Sequence, residues 1–293
     1  MAGTLARPGA RAVSVPIVRT LAPSDVDALR LPGTAGAQTT RRLLERNPGR
    51  SVWVPETLEY ALIGAWRNRR EIACVEDLVA VRHLEPLLHA AVERCAAQGD
   101  ALLLAIELDV PRSPSRFERA GLELLEEVIT YEAEISRGPW SSSSRIRAIR
   151  VDADDAFSVD LVTEIDQGAF PWLWRNSRAE FDVYLRMPGV EVAVIEADDE
   201  PVAYFGVTLF SGWGHLDRIA VAPHAQGRGY GLEALGLAVE AMRQRGARRA
   251  GLSTQRTNLR SQRLYERFGF RRTSDHDYRL FGAWCRPDLR APE

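Results

Sequence analysis

Residues 215 to 235 constrain this chain more than any other stretch. An alternating run, His215-Leu216-Asp217-Arg218-Ile219-Ala220-Val221, leads into Gln226-Gly227-Arg228-Gly229-Tyr230-Gly231, and an amphipathic helix follows with Leu232, Leu235, Val239 and Met242 on one face. Strand, glycine-rich turn and helix in that order make an α/β unit. Glycines at 227, 229 and 231 let the backbone take positive φ and approach a ligand closely. The first N–H groups of the helix have no partner inside it, and together with the helix dipole they form an anion site. Arg228 adds charge-assisted bonds, and a pyrophosphate is the natural occupant. The turn is neither the dinucleotide fingerprint nor a P-loop. Alone, it also fits a tight strand-to-helix connection that holds nothing.

At 293 residues the chain is long for a single core. The reading is a loose tail over 1–15, a first domain over 16–135, a linker over 136–145, a second domain over 146–285 and a tail over 286–293. The linker is Ser-Arg-Gly-Pro-Trp-Ser-Ser-Ser-Ser-Arg, turn-formers without periodicity. The second domain reads as strands at 146–151, 190–196, 201–210, 214–221, 250–255, 270–272 and 278–281, and helices at 155–167, 231–245 and 258–268. The first reads as strands at 51–54, 72–81 and 101–110, a helix over 84–97, and a helix turning into a strand over 115–131. Phe117-Glu-Arg-Ala-Gly-Leu122 echoes Tyr265-Glu-Arg-Phe-Gly-Phe270 from 148 residues away, about half the chain, which favours an internal duplication.

Charge and cysteines exclude several classes. Net charge is -2 with no basic cluster, so a nucleic-acid partner is not expected. Cys74, Cys95 and Cys285 lie far apart in sequence, with no histidine at metal-ligand spacing. Neither a metal nor a disulfide framework is expected, and a cytoplasmic location fits. No apolar run reaches the ~20 residues of a membrane helix, so no membrane partner is expected.

The turn does not stand alone. Asn258, Ser261, Leu264, Tyr265, Glu266, Gly269 and Phe270 follow at fixed spacing. With Gln226, Gly229 and Gly231 they make the chain resemble the GNAT superfamily of N-acetyltransferases, over about half its length. Ser261 stands where that family carries a small alanine. The resemblance implies acetyl-CoA as cosubstrate, bound along Ile219, Ala220 and Val221, with its pyrophosphate on Gln226, Gly227, Arg228, Gly229, Tyr230 and Gly231, and with Asn258, Ser261 and Tyr265 near the thioester end. It implies Tyr265 as the acid for the leaving thiolate, and His215 or Asp217 as the base for an attacking amine. Either could equally be a structural hydrogen-bonding group, and Tyr265 a core tyrosine. Phe170, Trp172 and Trp174, with Trp213, read either as an apolar wall for the acceptor or as packing.

The first half shows similar outlines without the chemistry. Val79-Ala-Val-Arg-His-Leu-Glu-Pro86 lacks the glycines, and Phe117 has no hydroxyl where Tyr265 stands. The expectation is therefore two tandem GNAT-like domains, each a mixed, mostly antiparallel sheet flanked by helices, the first a degenerate copy. The expected activity is direct acetyl transfer to a primary amine of a small molecule or peptide. A non-catalytic acyl-CoA sensor and an enzyme for a larger acyl group remain alternatives, and a homodimer stays open.

Overall fold

The structure is a computed structural model that describes residues 16–31, 36–108, 114–136, 146–286 and 288. The expected first tail and most of the expected linker and second tail lie outside the described residues. In chain order the first half contains β1 (Arg19–Thr20), α1 (Ala37–Arg46), β2 (Val52–Val54), β3 (Glu59–Ala65), β4 (Ile72–Val79), α2 (Leu84–Ala97), β5 (Leu102–Leu108), α3 (Arg116–Arg119) and β6 (Glu123–Glu134). The second contains β7 (Ile146–Arg150), α4 (Ala156–Ala169), α5 (Arg178–Tyr184), β8 (Val190–Ala197), β9 (Glu200–Phe210), β10 (Trp213–Val221), α6 (Tyr230–Gln244), β11 (Arg249–Gln255), α7 (Leu259–Phe268) and β12 (Arg271–Trp284).

Among the described residues, twelve strands join one sheet, in the order β1-β2-β3-β4-β5-β12-β6-β11-β10-β9-β8-β7, and only β4–β5 and β10–β11 pair in parallel. Read from either edge, the two halves repeat one topology, but the halves exchange their last strands. β6 of the first half pairs with β11 of the second, Val128 opposite Gln255 through Glu134 opposite Arg249. β12 of the second half pairs with β5, Tyr278 opposite Leu108 through Trp284 opposite Leu102. The division at 136–145 is therefore a division of the chain and not of the sheet: neither 16–135 nor 146–285 completes its sheet alone. Each half owes a central strand to the other, so the two are expected to fold together.

Local sequence explains the elements that position the site. Asp198 and Asp199 take positive φ, 52° and 65°, and close β8 and β9 into a tight hairpin. Gly269 at φ 106° ends α7, and Gly121 at φ 88° follows α3, so the two copies of the repeat stop their helices in the same way. Aliphatic β8, β9 and β10 residues meet α6 through Leu235, Ala238, Val239 and Met242, all fully buried. Gly214 is required there, because a Cβ would fall 2.4 Å from Met242 Sδ. The remote Cys95 and Cys285 meet in the first half's core, both as free thiols. Among the described residues no helix is long and apolar enough to cross a membrane.

Candidate active site

The site is made by a fork in the sheet. β10 and β11 pair from Trp213 opposite Arg249 to Leu216 opposite Leu252 and no further, although β10 runs on to Val221 and β11 to Gln255. Past the fork, the β10 edge facing β11 has no strand beside it. A bulge at Asp217 interrupts the β9–β10 register between Leu216 and Arg218. This extra residue turns His215, Asp217 and Arg218 all toward the face that carries α4 and α5.

Asp217 is the hub. Its Oδ2 accepts from the Tyr184 hydroxyl at 2.5 Å and from Thr208 Oγ1 at 2.6 Å, and its Oδ1 lies 2.7 Å from His215 Nδ1. A carboxylate that accepts three bonds holds its neighbours in place and has little left to abstract a proton. A carboxylate can only accept, so the imidazole N–H belongs on Nδ1 and the lone pair falls on Nε2. The His215 side chain is 36% exposed, so that nitrogen is reachable. Of the two candidate bases read from the sequence, His215 presents an open ring nitrogen, while Asp217 is taken up by its three partners. Tyr184 was not legible beforehand, because α5 carries no recognisable pattern. Burial and the Asp217 charge push its phenol well above the ordinary value, so it is a permanent donor. Gly206 makes room for it: a Cβ there would sit 2.9 Å from the hydroxyl. Tyr184→Phe is expected to destabilise the fold by about 1.5–3 kcal/mol, read from denaturant midpoints, since it removes one bond to a charged group.

The glycine turn lies at the open end of the fork. Gly227 and Gly229 take φ 81° and 91°, Gly229 caps α6, and nothing lies within 4 Å of a Cβ placed on either. Gly231 sits against Leu264 of α7 and Val221 of β10. Gln226 braces the turn, donating to Val221 O and accepting from Arg260, so its side chain is occupied. Arg228 reaches over the Tyr230 ring at 5.7 Å. Asn258 caps α7 by accepting from Ser261 N at 3.1 Å, which leaves its amide NH2 for a ligand. Tyr265 is 5% exposed, tilted against Tyr131 and edge-on to Phe270. Burial pushes its phenol up to about 12, opposed by Ser261, so it keeps its proton at neutral pH.

The aromatic loop after α4 meets the first half. Trp174 is 5% exposed and packs edge-on to Trp66 of the first half at 5.9 Å. Trp172 stacks on Trp284 at 6.1 Å, and the Phe170 ring lies 3.7 Å from the Arg218 guanidinium carbon. Trp66 Nε1 donates to Leu173 O at 2.8 Å, and Arg67 Nη1 donates to Asn176 Oδ1 at 2.6 Å. The Trp66–Trp174 contact and these two bonds pin the two halves together. Trp172 also borders a cavity of about 490 Å³ shared with Asn68, Arg69, Gln167, Arg175 and Asn176. The Trp213 ring covers Gly251, the residue opposite His215. Beneath the loop, Asp166 and Arg218 form a buried ion pair. Asp166 also accepts from the Tyr204 hydroxyl and from Asn176 N, and Arg218 donates to Trp174 O at 3.0 Å.

The first half has its own fork: β4 and β5 pair only from Ile72 to Cys74 opposite Leu102 to Leu104. Four residues, 80–83, then lead to α2, where eight, 222–229, lead to α6. The N–H groups of Val81 and Arg82 both donate to Glu59 Oε1, at 2.5 and 2.6 Å. Glu59 Oε2 accepts from Thr57 Oγ1 at 3.0 Å and pairs with His83 Nδ1. Burial would raise this carboxyl, but the bonds from Arg82, Val81, His83 and Thr57 outweigh it and bring it from 4.5 to about 2. A depressed carboxyl stabilises the fold above its unfolded pKa and loses that contribution as pH falls through its folded one. Glu59→Gln is therefore expected to flatten the acid loss of stability between pH 4.5 and about 2, read from denaturant midpoints.

Comparison with known proteins agrees with this geometry. Residues 159–270 match the acetyltransferase (GNAT) family. The chain is 31% identical over 99 residues to the uncharacterized N-acetyltransferase YobR of Bacillus subtilis (strain 168), a match that spans 33% of this chain and 40% of that protein. Among solved structures, a GCN5-related N-acetyltransferase from Sphaerobacter thermophilus superposes with TM-score 0.58 at 20% identity, covering 92% of this chain and 96% of that one. A tandem GNAT protein from the clavulanic acid biosynthesis pathway gives TM-score 0.55 at 13% identity, covering 92% and 99%. At those identities the two structures show the fold alone. The likeness to the acetyltransferase (GNAT) family therefore covers residues 159–270, and the whole chain has the fold seen in a tandem GNAT protein.

Proposed function

We propose that the second half transfers an acetyl group from acetyl-CoA to the primary amine of a small molecule or peptide, by direct attack. The observation that carries this reading is the β10–β11 fork, with a supported histidine at its closed end and an unobstructed glycine turn at its open end. The pantetheine arm would lie along the open β10 edge at Ile219 to Val221, as an added strand. The pyrophosphate would sit on the N–H groups of the turn, where dipole and unpaired donors favour an anion. His215 Nε2 takes a proton from the ammonium. The neutral amine attacks the thioester carbonyl carbon, the carbon–sulfur bond breaks, the Tyr265 phenol gives its proton to the departing thiolate, and the acylated nitrogen sheds its extra proton to restore the phenol.

The buried Tyr265, protonated at neutral pH, supports an acid role, and the three bonds to Asp217 support His215 as the oriented base. A panel of amines should be incubated with the purified chain and acetyl-CoA, with free CoA thiol followed. Thiol release with at least one amine, absent without amine, is the expected result. Tight acetyl-CoA binding with no release for any amine would favour a non-catalytic sensor, and release only with longer acyl thioesters would move the assignment to another acyl group.

A further inference from the structure

We propose that the first half retains the anion cradle of a coenzyme fold and that the chain's own Glu59 carboxylate occupies it in place of a pyrophosphate. The inference rests on the proposed role of the second half's turn, but not on its turnover.

The internal symmetry of the sheet supplies the frame. β4 and β5 part after three paired residues as β10 and β11 part after four, and in each half the longer helix of the pair begins just beyond the fork. A cofactor phosphate in the second half would meet backbone N–H groups at that point. In the first half the N–H groups of Val81 and Arg82 converge there on a single oxygen of Glu59. The glutamate comes from the adjacent strand, as the first residue of β3, and is 4% exposed. His83, the residue that caps α2, offers no side-chain cap and instead turns Nδ1 to the second carboxylate oxygen. A buried carboxylate bound by two N–H groups and an imidazole has the chemistry of a bound oxyanion. The counterpart of Glu59 by strand register is Ala203: the bulges at Glu76 and Asp217 match, so Tyr60 opposite Val79 in the first half corresponds to Tyr204 opposite Ala220 in the second. Alanine places no charge in the second half's cradle, which stays free for a ligand. The connection is also four residues shorter in the first half, so the cradle is drawn tightly around the carboxylate.

The first half is therefore closed to coenzyme by an anion it already holds, rather than only by missing glycines. The test uses the full chain with Gly229→Glu, which blocks the second cradle, and inorganic pyrophosphate as the probe. With Glu59 present, millimolar pyrophosphate is expected to leave the unfolding temperature unchanged. With Glu59→Ala added, the chain is expected to be less stable and to regain a few degrees when pyrophosphate is supplied. If Glu59→Ala does not fold, Glu59→Gln keeps the shape while removing the charge and is expected to show the same selective gain. Equal response to pyrophosphate with and without Glu59 would overturn the proposal. Failure of the amine panel would leave this result standing, because no step of it depends on acetyl transfer.

Discussion

Replacing Tyr265 with phenylalanine is expected to lower kcat by about 10²- to 10⁴-fold, the range for loss of one general acid, while acetyl-CoA binding measured by calorimetry stays within about twofold. The separation of the two effects follows from the structure. The Tyr265 ring is a wall of the second half's core, tilted against Tyr131 and edge-on to Phe270, and phenylalanine preserves those contacts. Only the hydroxyl disappears, and its proton is the one the departing thiolate needs. Its phenol sits at about 12, so the rate should show no titration of this group near neutrality. If Tyr265→Phe turned over normally, the tyrosine would be a packing residue and the thiolate would leave without its help.

The second large effect concerns stability. Asp166→Ala is expected to cost about 3–5 kcal/mol, because it leaves the Arg218 charge buried without its partner. Asp166 is 0% exposed and Arg218 7%, and the pair holds Tyr204, Asn176 and the backbone of Trp174 in one network. That network fastens α4 and the aromatic loop to β10, so its loss also loosens the seam with the first half. In thermal unfolding the drop should be on the order of 10 °C. The double substitution Asp166→Leu with Arg218→Met should recover most of it, since replacing a buried pair by apolar residues is often neutral or stabilising. A single variant as stable as the parent would mean that solvent reaches Arg218.

These outcomes depend on contacts the sequence carried unevenly. The helix over 84–97 and the turn at 197–200 were legible to within a residue, because apolar spacing and paired aspartates are local signals. β3 was missed because Glu59 to Gly64 is buried throughout, so no alternation marks it as a strand. α1 was missed because Ala37–Arg46 is mostly polar. β12 read as two strands, because Ser274-Asp-His-Asp277 looks like a loop, whereas the chain continues through it as one strand with a shifted register. Strand exchange had no local signal at all: the apolar pattern of β6 says that it is a strand, not whose neighbour it becomes. At the site, Tyr265, His215 and the glycines stood out by spacing, whereas Tyr184 and Thr208 became visible only when the Asp217 bulge brought them onto one carboxylate. The aromatic loop shows the opposite limit. Its composition fitted a ligand wall and a packed seam equally, and the contact of Trp174 with Trp66, on the other half, had no local signal.

Calorimetric titration of the purified chain with acetyl-CoA, beside the Gly229→Glu variant, tests the central claim most directly. Gly229 takes φ 91° at the cap of α6, so glutamate there would strain the turn and place a negative charge in the anion cradle. The account predicts one site per chain in the parent and none in the variant. No binding to the parent, or binding that survives Gly229→Glu, would contradict it.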